Sequence, residues 1–142
     1  MDDDGDRKTD YGFYRPSNGV WYIKPSGGVP SWYAVYFGGG ASDIPIFGDF
    51  DGDGKTDQAF YRPETGVWFV LPSGGASYYG TYFGAAASDI LVPGDYDGDG
   101  KTDLAFYRPS TGVWFILPSG GGSWYAVYFG GGASDIPLIY NY

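Results

Sequence analysis

The chain has 142 residues, 43% hydrophobic and 21% aromatic, with a net charge of −9 and neither cysteine nor histidine. The aromatic content can furnish a core and sets the chain apart from a disordered acidic tail. The missing residue types exclude disulfides, thiol chemistry and the usual zinc, copper and haem ligands. An acidic chain is a poor match for nucleic-acid phosphates, and no apolar run approaches the ~18 residues of a membrane span, so neither nucleic acid nor membrane insertion is expected.

In chain order, the first feature is an acidic stretch, DDDGDRKTD, at 2–10. YRPSNGVWYIKPSGG follows it, then YAVYFGGGASDIP. The whole succession then recurs. GDFDGDGKTD lies at 48–57 and GDYDGDGKTD at 94–103, each followed by its own YRP…GVWF and YFG…SDI stretches. Asp2, Asp49 and Asp95 are 47 and 46 residues apart. We read 1–142 as a single repeat domain, with units 2–48, 49–94 and 95–140. A period of 40 to 50 residues implies one supersecondary element per unit, stable only when stacked on like neighbours.

The second unit predicts four strands. They are 58–63, 67–71, 78–83 and 89–94, separated by the turn at Pro63–Gly66, PSGGAS and the small-residue loop GAAAS. In VWFVL (67–71), Val67, Phe69 and Leu71 share one face and Trp68 and Val70 the other. Both faces are apolar, so the sheet is expected to be covered on both sides. The expected fold is all-β: three tandem four-stranded antiparallel units of propeller-blade type, open or completed by strands from another molecule. In the first unit Lys24 replaces Leu71 and Leu117, and Tyr22 replaces Phe69 and Phe115, so one of its faces should be wetter.

The acidic loops pose an electrostatic problem. Carboxylates about 4 Å apart repel by roughly 1 kcal/mol per pair in water, more when partly buried. Numbered from Asp95, acids fall at positions 1, 3, 5 and 9, with Gly100 at position 6. The first three can face one point, glycine permits the sharp bend, and the Lys101 carbonyl and Asp103 carboxylate can complete an all-oxygen cage. Such a cage suits calcium, which takes 6–8 oxygens. Position 12 is Phe13, Phe60 or Phe106, where an EF-hand needs glutamate, and the flanks are strand-like. Arg7 stands where the other loops have the position-6 glycine, a strain if its φ is positive.

With YFGGGASDIP beside them, DFDGDGKTD and DYDGDGKTD resemble FG-GAP/VCBS-type repeats. Those repeats build calcium-binding blades in the propellers of integrin α-subunits and of many secreted bacterial proteins. The resemblance covers nearly the whole chain. It implies calcium ligation by Asp49, Asp51, Asp53, the Lys55 carbonyl and Asp57, and by Asp95, Asp97, Asp99, the Lys101 carbonyl and Asp103. In the first unit it implies Asp2, Asp4, Asp6, the Lys8 carbonyl and Asp10. Up to three calcium ions are thus expected.

Arg15, Arg62 and Arg108 recur once per unit, as do Asp43, Asp89 and Asp135, which suggests structural ion pairs or turn caps. No enzymatic activity is expected. The common triads need His or Cys, and a glycosidase needs two carboxylates flanking a cleft. The stretch 135–140 repeats the strand that precedes each acidic loop, and Asn141 aligns with Asp49 and Asp95. That strand is expected to pair with the first unit of another molecule, head to tail, giving a ring or a filament. The expected role is structural or adhesive, outside the cell or at its surface, where calcium is abundant. A carbohydrate-binding propeller is the rival. Exposure of Trp32 and Trp124 in a groove would favour sugar, and burial between sheets would favour structure.

Overall fold

The structure, a computed structural model, describes residues 1–28 and 30–139. Val29, Tyr140 and Asn141 therefore lie outside the described residues, as does the end of the 135–140 strand. The chain is all-β, in three antiparallel sheets. The first sheet contains β1 (Tyr11–Arg15), β2 (Val20–Lys24) and β3 (Tyr33–Tyr36). The second contains β4 (Ile44–Gly48), β5 (Asp57–Arg62), β6 (Val67–Leu71) and β7 (Tyr79–Tyr82). The third contains β8 (Ile90–Leu91), β9 (Leu104–Arg108), β10 (Val113–Leu117) and β11 (Tyr125–Tyr128). No barrel closes, and no described helix is long and apolar enough to cross a membrane.

Each sheet is a meander, and its tight turn follows the Arg-Pro step. Gly19, Gly66 and Gly112 end these turns at φ of 67 to 68°, where a side chain is strained. At Gly19 a Cβ would also lie 2.9 Å from the Gly39 backbone, so the position needs glycine twice over.

The strand before each acidic loop falls in one unit by repeat length and joins the sheet of the following one. Ile90 pairs with Tyr107 and Leu91 with Phe106 of the third sheet, as Ile44 pairs with Tyr61. The acidic loop is a hairpin connection, so the strand entering it pairs with the strand leaving it. Sheets therefore straddle the unit boundaries at 48 and 94. β8 is also shorter than expected, although Val92 still donates its N–H to Ala105 at 2.9 Å and Pro93 falls between the bonded pairs of this edge strand, where no ladder N–H is needed. Pairing resumes at a Gly94–Asp103 bridge.

Period-2 alternation along β6 sets the core. Trp68 and Val70 are fully buried, with Ile46, Ala59 and Tyr61 beside them. Phe50 from the loop between β4 and β5 joins that cluster, and Leu91, Leu104 and Leu117 from the next sheet pack on it. The opposite face of β5 and β6 carries stacked Phe60 and Phe69, and Phe37 from the first sheet lies 5.0 Å from the Phe60 ring. The sheets thus stack face on face. Trp21, Trp68 and Trp114 each donate an indole N–H to the carbonyl of Phe37, Phe83 and Phe129, at 2.8, 2.8 and 2.9 Å. The outward face of the first sheet is the wetter one, with Tyr11, Phe13 and Lys24 exposed.

Candidate metal centres

Each acidic loop is a chain of short-range hydrogen bonds that turns carboxylates inward. In the second loop, Asp49 accepts the N–H of Gly52 at 2.7 Å and of Gly54 at 2.8 Å. Asp51 accepts from Asp53 at 3.1 Å, and Asp53 from Lys55 at 2.8 Å. The third loop repeats this with Asp95, Asp97 and Asp99, and the first with Asp2, Asp4 and Asp6. Gly52 and Gly54 have φ of 81° and 84°. Arg7, at 65°, is the one non-glycine residue with positive φ among the described residues.

The result is three triads, Asp2/Asp4/Asp6, Asp49/Asp51/Asp53 and Asp95/Asp97/Asp99, each with carboxylate oxygens within 4.8 Å of one another. The donor set is hard oxygen, which fits a divalent cation of the calcium type. A second feature fits as well. The PSGG turn is laid over each loop, and an added Cβ on Gly74 would sit 3.4 Å from the Asp53 carboxylate and 3.6 Å from that of Asp51. The backbone comes this close because glycine leaves the space empty.

The ninth-position aspartates stand apart from the triads. Asp57 and Asp103 are fully buried and Asp10 nearly so. Asp57 accepts the N–H of Phe50 at 2.8 Å and of Ser73 at 2.7 Å, one on each oxygen, so it ties loop to turn. Asp103 does the same with Tyr96 and Ser119. Burial raises the Asp57 carboxyl, and the nearby Asp51 charge adds to that against the two backbone hydrogen bonds. Burial also raises Asp103, with the Asp97 and Asp99 charges adding to it. A cation in the loop would oppose these like-charge contributions. At Asp10 burial acts upward, but the N–H groups of Ser26, Asp3 and Asp4 outweigh it and hold the carboxyl low. The seventh-position residues Lys8, Lys55 and Lys101 each donate their N–H to the fifth-position carboxylate.

Three functional groups escape the acid count. The loop threonines stitch loop to loop. Thr56 donates its N–H to the Asp2 carbonyl at 2.8 Å, and its Oγ1 accepts the Asp2 N–H at 2.8 Å. Thr102 repeats both contacts with Asp49, at 2.6 and 3.0 Å. Ser26 and Ser73 of the PSGG turns donate to Asp6 and Asp53. Asp3 holds the place taken by Phe50 and Tyr96 in the other loops. It accepts from Gln58 Nε2 at 3.1 Å and from the Tyr33 hydroxyl. Burial and the Asp10 charge push its carboxyl up to about 6, with Gln58 acting the other way. The KTD and PSGG strings recur three times, which is the signal that could have flagged the threonines and serines.

Two of the three recurring arginines pair with two of the three recurring aspartates. Arg62 Nε and Nη2 each donate to the buried Asp43 carboxylate at 2.8 Å, and Arg108 grips Asp89 at 3.0 and 2.8 Å. Asp43 and Asp89 also cap their own turns, accepting the N–H of Gly40 and Ala86. Family models, curated proteins and solved structures offer no match to this chain.

Proposed function

We propose that the chain is a calcium-stabilised structural or adhesive repeat protein of the extracellular space or cell surface. Its units are of propeller-blade type, and it assembles with further copies of itself. The observation that carries this reading is the threefold loop. Each acidic triad is hydrogen-bonded into one hairpin, and the first two are also stitched to the next loop by a threonine. An ion held by Asp49, Asp51, Asp53, the Lys55 carbonyl and Asp57 would brace the hairpin and the junction to the next sheet together. The same holds for the loops of Asp95 and Asp2. The resemblance of the loops to FG-GAP/VCBS-type repeats points the same way. Millimolar calcium would fill sites of ~10⁻⁴–10⁻³ M affinity.

The test is calorimetric titration with calcium chloride, beside thermal melts in calcium and in chelator. At 2 mM calcium and a Kd of ~10⁻⁴ M, each site adds about 1.8 kcal/mol. A melting temperature indifferent to chelator, with no heat of binding, overturns the calcium reading.

One observation favours a second reading. Trp32 and Trp124 are 61% and 58% exposed, the arrangement that suits stacking on a sugar ring. A glycan array probed with the wild-type chain and with Trp124→Ala tests it. A hit lost on substitution supports carbohydrate binding, and a blank array removes it.

A further inference from the structure

Two joints are visible within the chain, first sheet to second and second to third, and they share one set of contacts. A phenylalanine leaving one sheet packs on the next: Phe37 on Phe60 at 5.0 Å, and Phe83 on Phe106 at 5.1 Å. An aspartate then grips the next arginine, Asp43 on Arg62 and Asp89 on Arg108. The segment after that aspartate joins the next sheet and buries the third residue past it, Ile46 or Val92, to 6% and 1% exposure. Finally the carbonyls of Asp2 and Asp49 accept the N–H groups of Thr56 and Thr102, whose Oγ1 atoms accept the aspartate N–H groups in return.

At the two outer faces the same groups stand without partners among the described residues. Phe129 is 77% exposed. Asp135 accepts only the N–H of Gly131 and Gly132. Residues 136–139 belong to no ladder, and Leu138, which corresponds to Ile46 and Val92, is 89% exposed. On the opposite face Phe13 is exposed, and Arg15 has no carboxylate. Its guanidinium lies over the Tyr22 ring at 4.7 Å, as those of Arg62 and Arg108 lie over Phe69 and Phe115, and it donates to the Tyr22 hydroxyl at 3.2 Å where they grip an aspartate. Tyr14 and Tyr61 hydroxyls each accept an N–H from the loop after their sheet, but the buried Tyr107 hydroxyl has no partner. Its loop is the one with no sheet packed beyond it.

We propose that these two faces are halves of one joint, completed by a second copy of the chain. Asp135 of one copy grips Arg15 of the next, Phe129 packs on Phe13, and residues 136–139 pair along β1. The internal register sets Ile136 opposite Tyr14 and Leu138 opposite Gly12. The Met1 carbonyl already accepts the Asp10 N–H, as the Gly94 carbonyl accepts that of Asp103, so Met1 takes the next place in the line. Its side chain, now over Gly12, moves aside for Leu138. Asp95 meets Thr9. Tyr96 joins Tyr11, as Phe50 and Leu104 share one buried cluster. Charge favours this occupant. Leu71 lines a groove with Asp4, and their counterparts Lys24 and Asp97 are of opposite sign. The joint rests on the reading of the chain as a self-assembling structural protein and names the surfaces that do it.

The test is a charge swap, read by sedimentation velocity and electron microscopy in calcium. Both residues lie outside the internal joints, so circular dichroism spectra of Arg15→Asp and Asp135→Arg should match wild type at a concentration too low for association, with a melt lower only by the turn cap that Asp135 provides. Wild type assembles into rings or fibres. Each variant alone is monomeric or at least ~100-fold weaker in association, because like charges meet. Mixed one to one, the two variants assemble again. Wild type that assembles while both variants do so equally overturns the joint and leaves self-assembly standing. A monomeric wild type overturns both. A monomeric wild type whose glycan binding is lost in Trp32→Ala gives the groove beside Phe13 to a sugar and also overturns the joint.

Discussion

Arg7 carries a local cost that its counterparts Gly54 and Gly100 avoid. An L-residue held at φ of 65° is disfavoured by about 1–2 kcal/mol, partly offset by the smaller entropy it loses on folding. Arg7→Gly should therefore stabilise the chain by roughly 0.5–1 kcal/mol, measured as a higher urea midpoint at unchanged m-value. A midpoint that stays or falls would mean that the arginine side chain contributes more than its backbone costs. Asp43 gives a pH-dependent case. Burial acts to raise its carboxyl, but the Arg62 hydrogen bonds, the Gly40 N–H and the Arg62 charge prevail and hold it below the ordinary range. A depressed carboxyl contributes stability that is present above the unfolded value, near 3.9, and lost as pH falls through the lower folded value. Asp43→Asn should then cost about 2 kcal/mol at pH 7 and progressively less below pH ~3.9. Parallel denaturant titrations of wild type and variant across that range would show the two curves converging. A gap that persists at the acid end would contradict the assignment.

At the scale of strands, Trp68 and Trp114 make a graded comparison. Trp68 is fully buried between two sheets, whereas Trp114 is half-buried on the outer face of the third. Trp68→Ala should cost about 3–5 kcal/mol and Trp114→Ala clearly less, by chemical denaturation of the monomer. Equal losses would mean that burial between sheets is not what the indole contributes. The strands themselves were largely legible. Alternation in VWFVL gave 67–71, and the wetter face of the first sheet followed from Tyr22 and Lys24. Sheet membership of 89–94 was not legible in the same way, because a hairpin loop and a unit boundary look alike in a repeating string. The threonine stitches and the Asp3–Gln58 contact were also hidden. They join residues 53 to 55 positions apart, and local patterning carries no information about contacts between sheets.

For the molecule as a whole, nine excess negative charges concentrate their repulsion in the loops. Calcium should raise the melting temperature, chelator should lower it, and Asp51→Asn and Asp97→Asn should each remove part of the difference. With about 1.8 kcal/mol per filled site and ~3 °C per kcal/mol, the shift is roughly 5 °C per loop. The Arg7 loop is expected to contribute least, and calorimetric stoichiometry checks that ranking.

The residue after each first loop aspartate has a consequence for how near-identical modules keep their order. Asp3 accepts from Gln58, while Phe50 shares a buried apolar cluster with Leu104. A slip by one whole module would strand the Asp3 carboxyl against Leu104, with the amide it needs left behind. One polar match and one greasy match thus act as addresses, so an array whose parts look interchangeable still tells its neighbours apart.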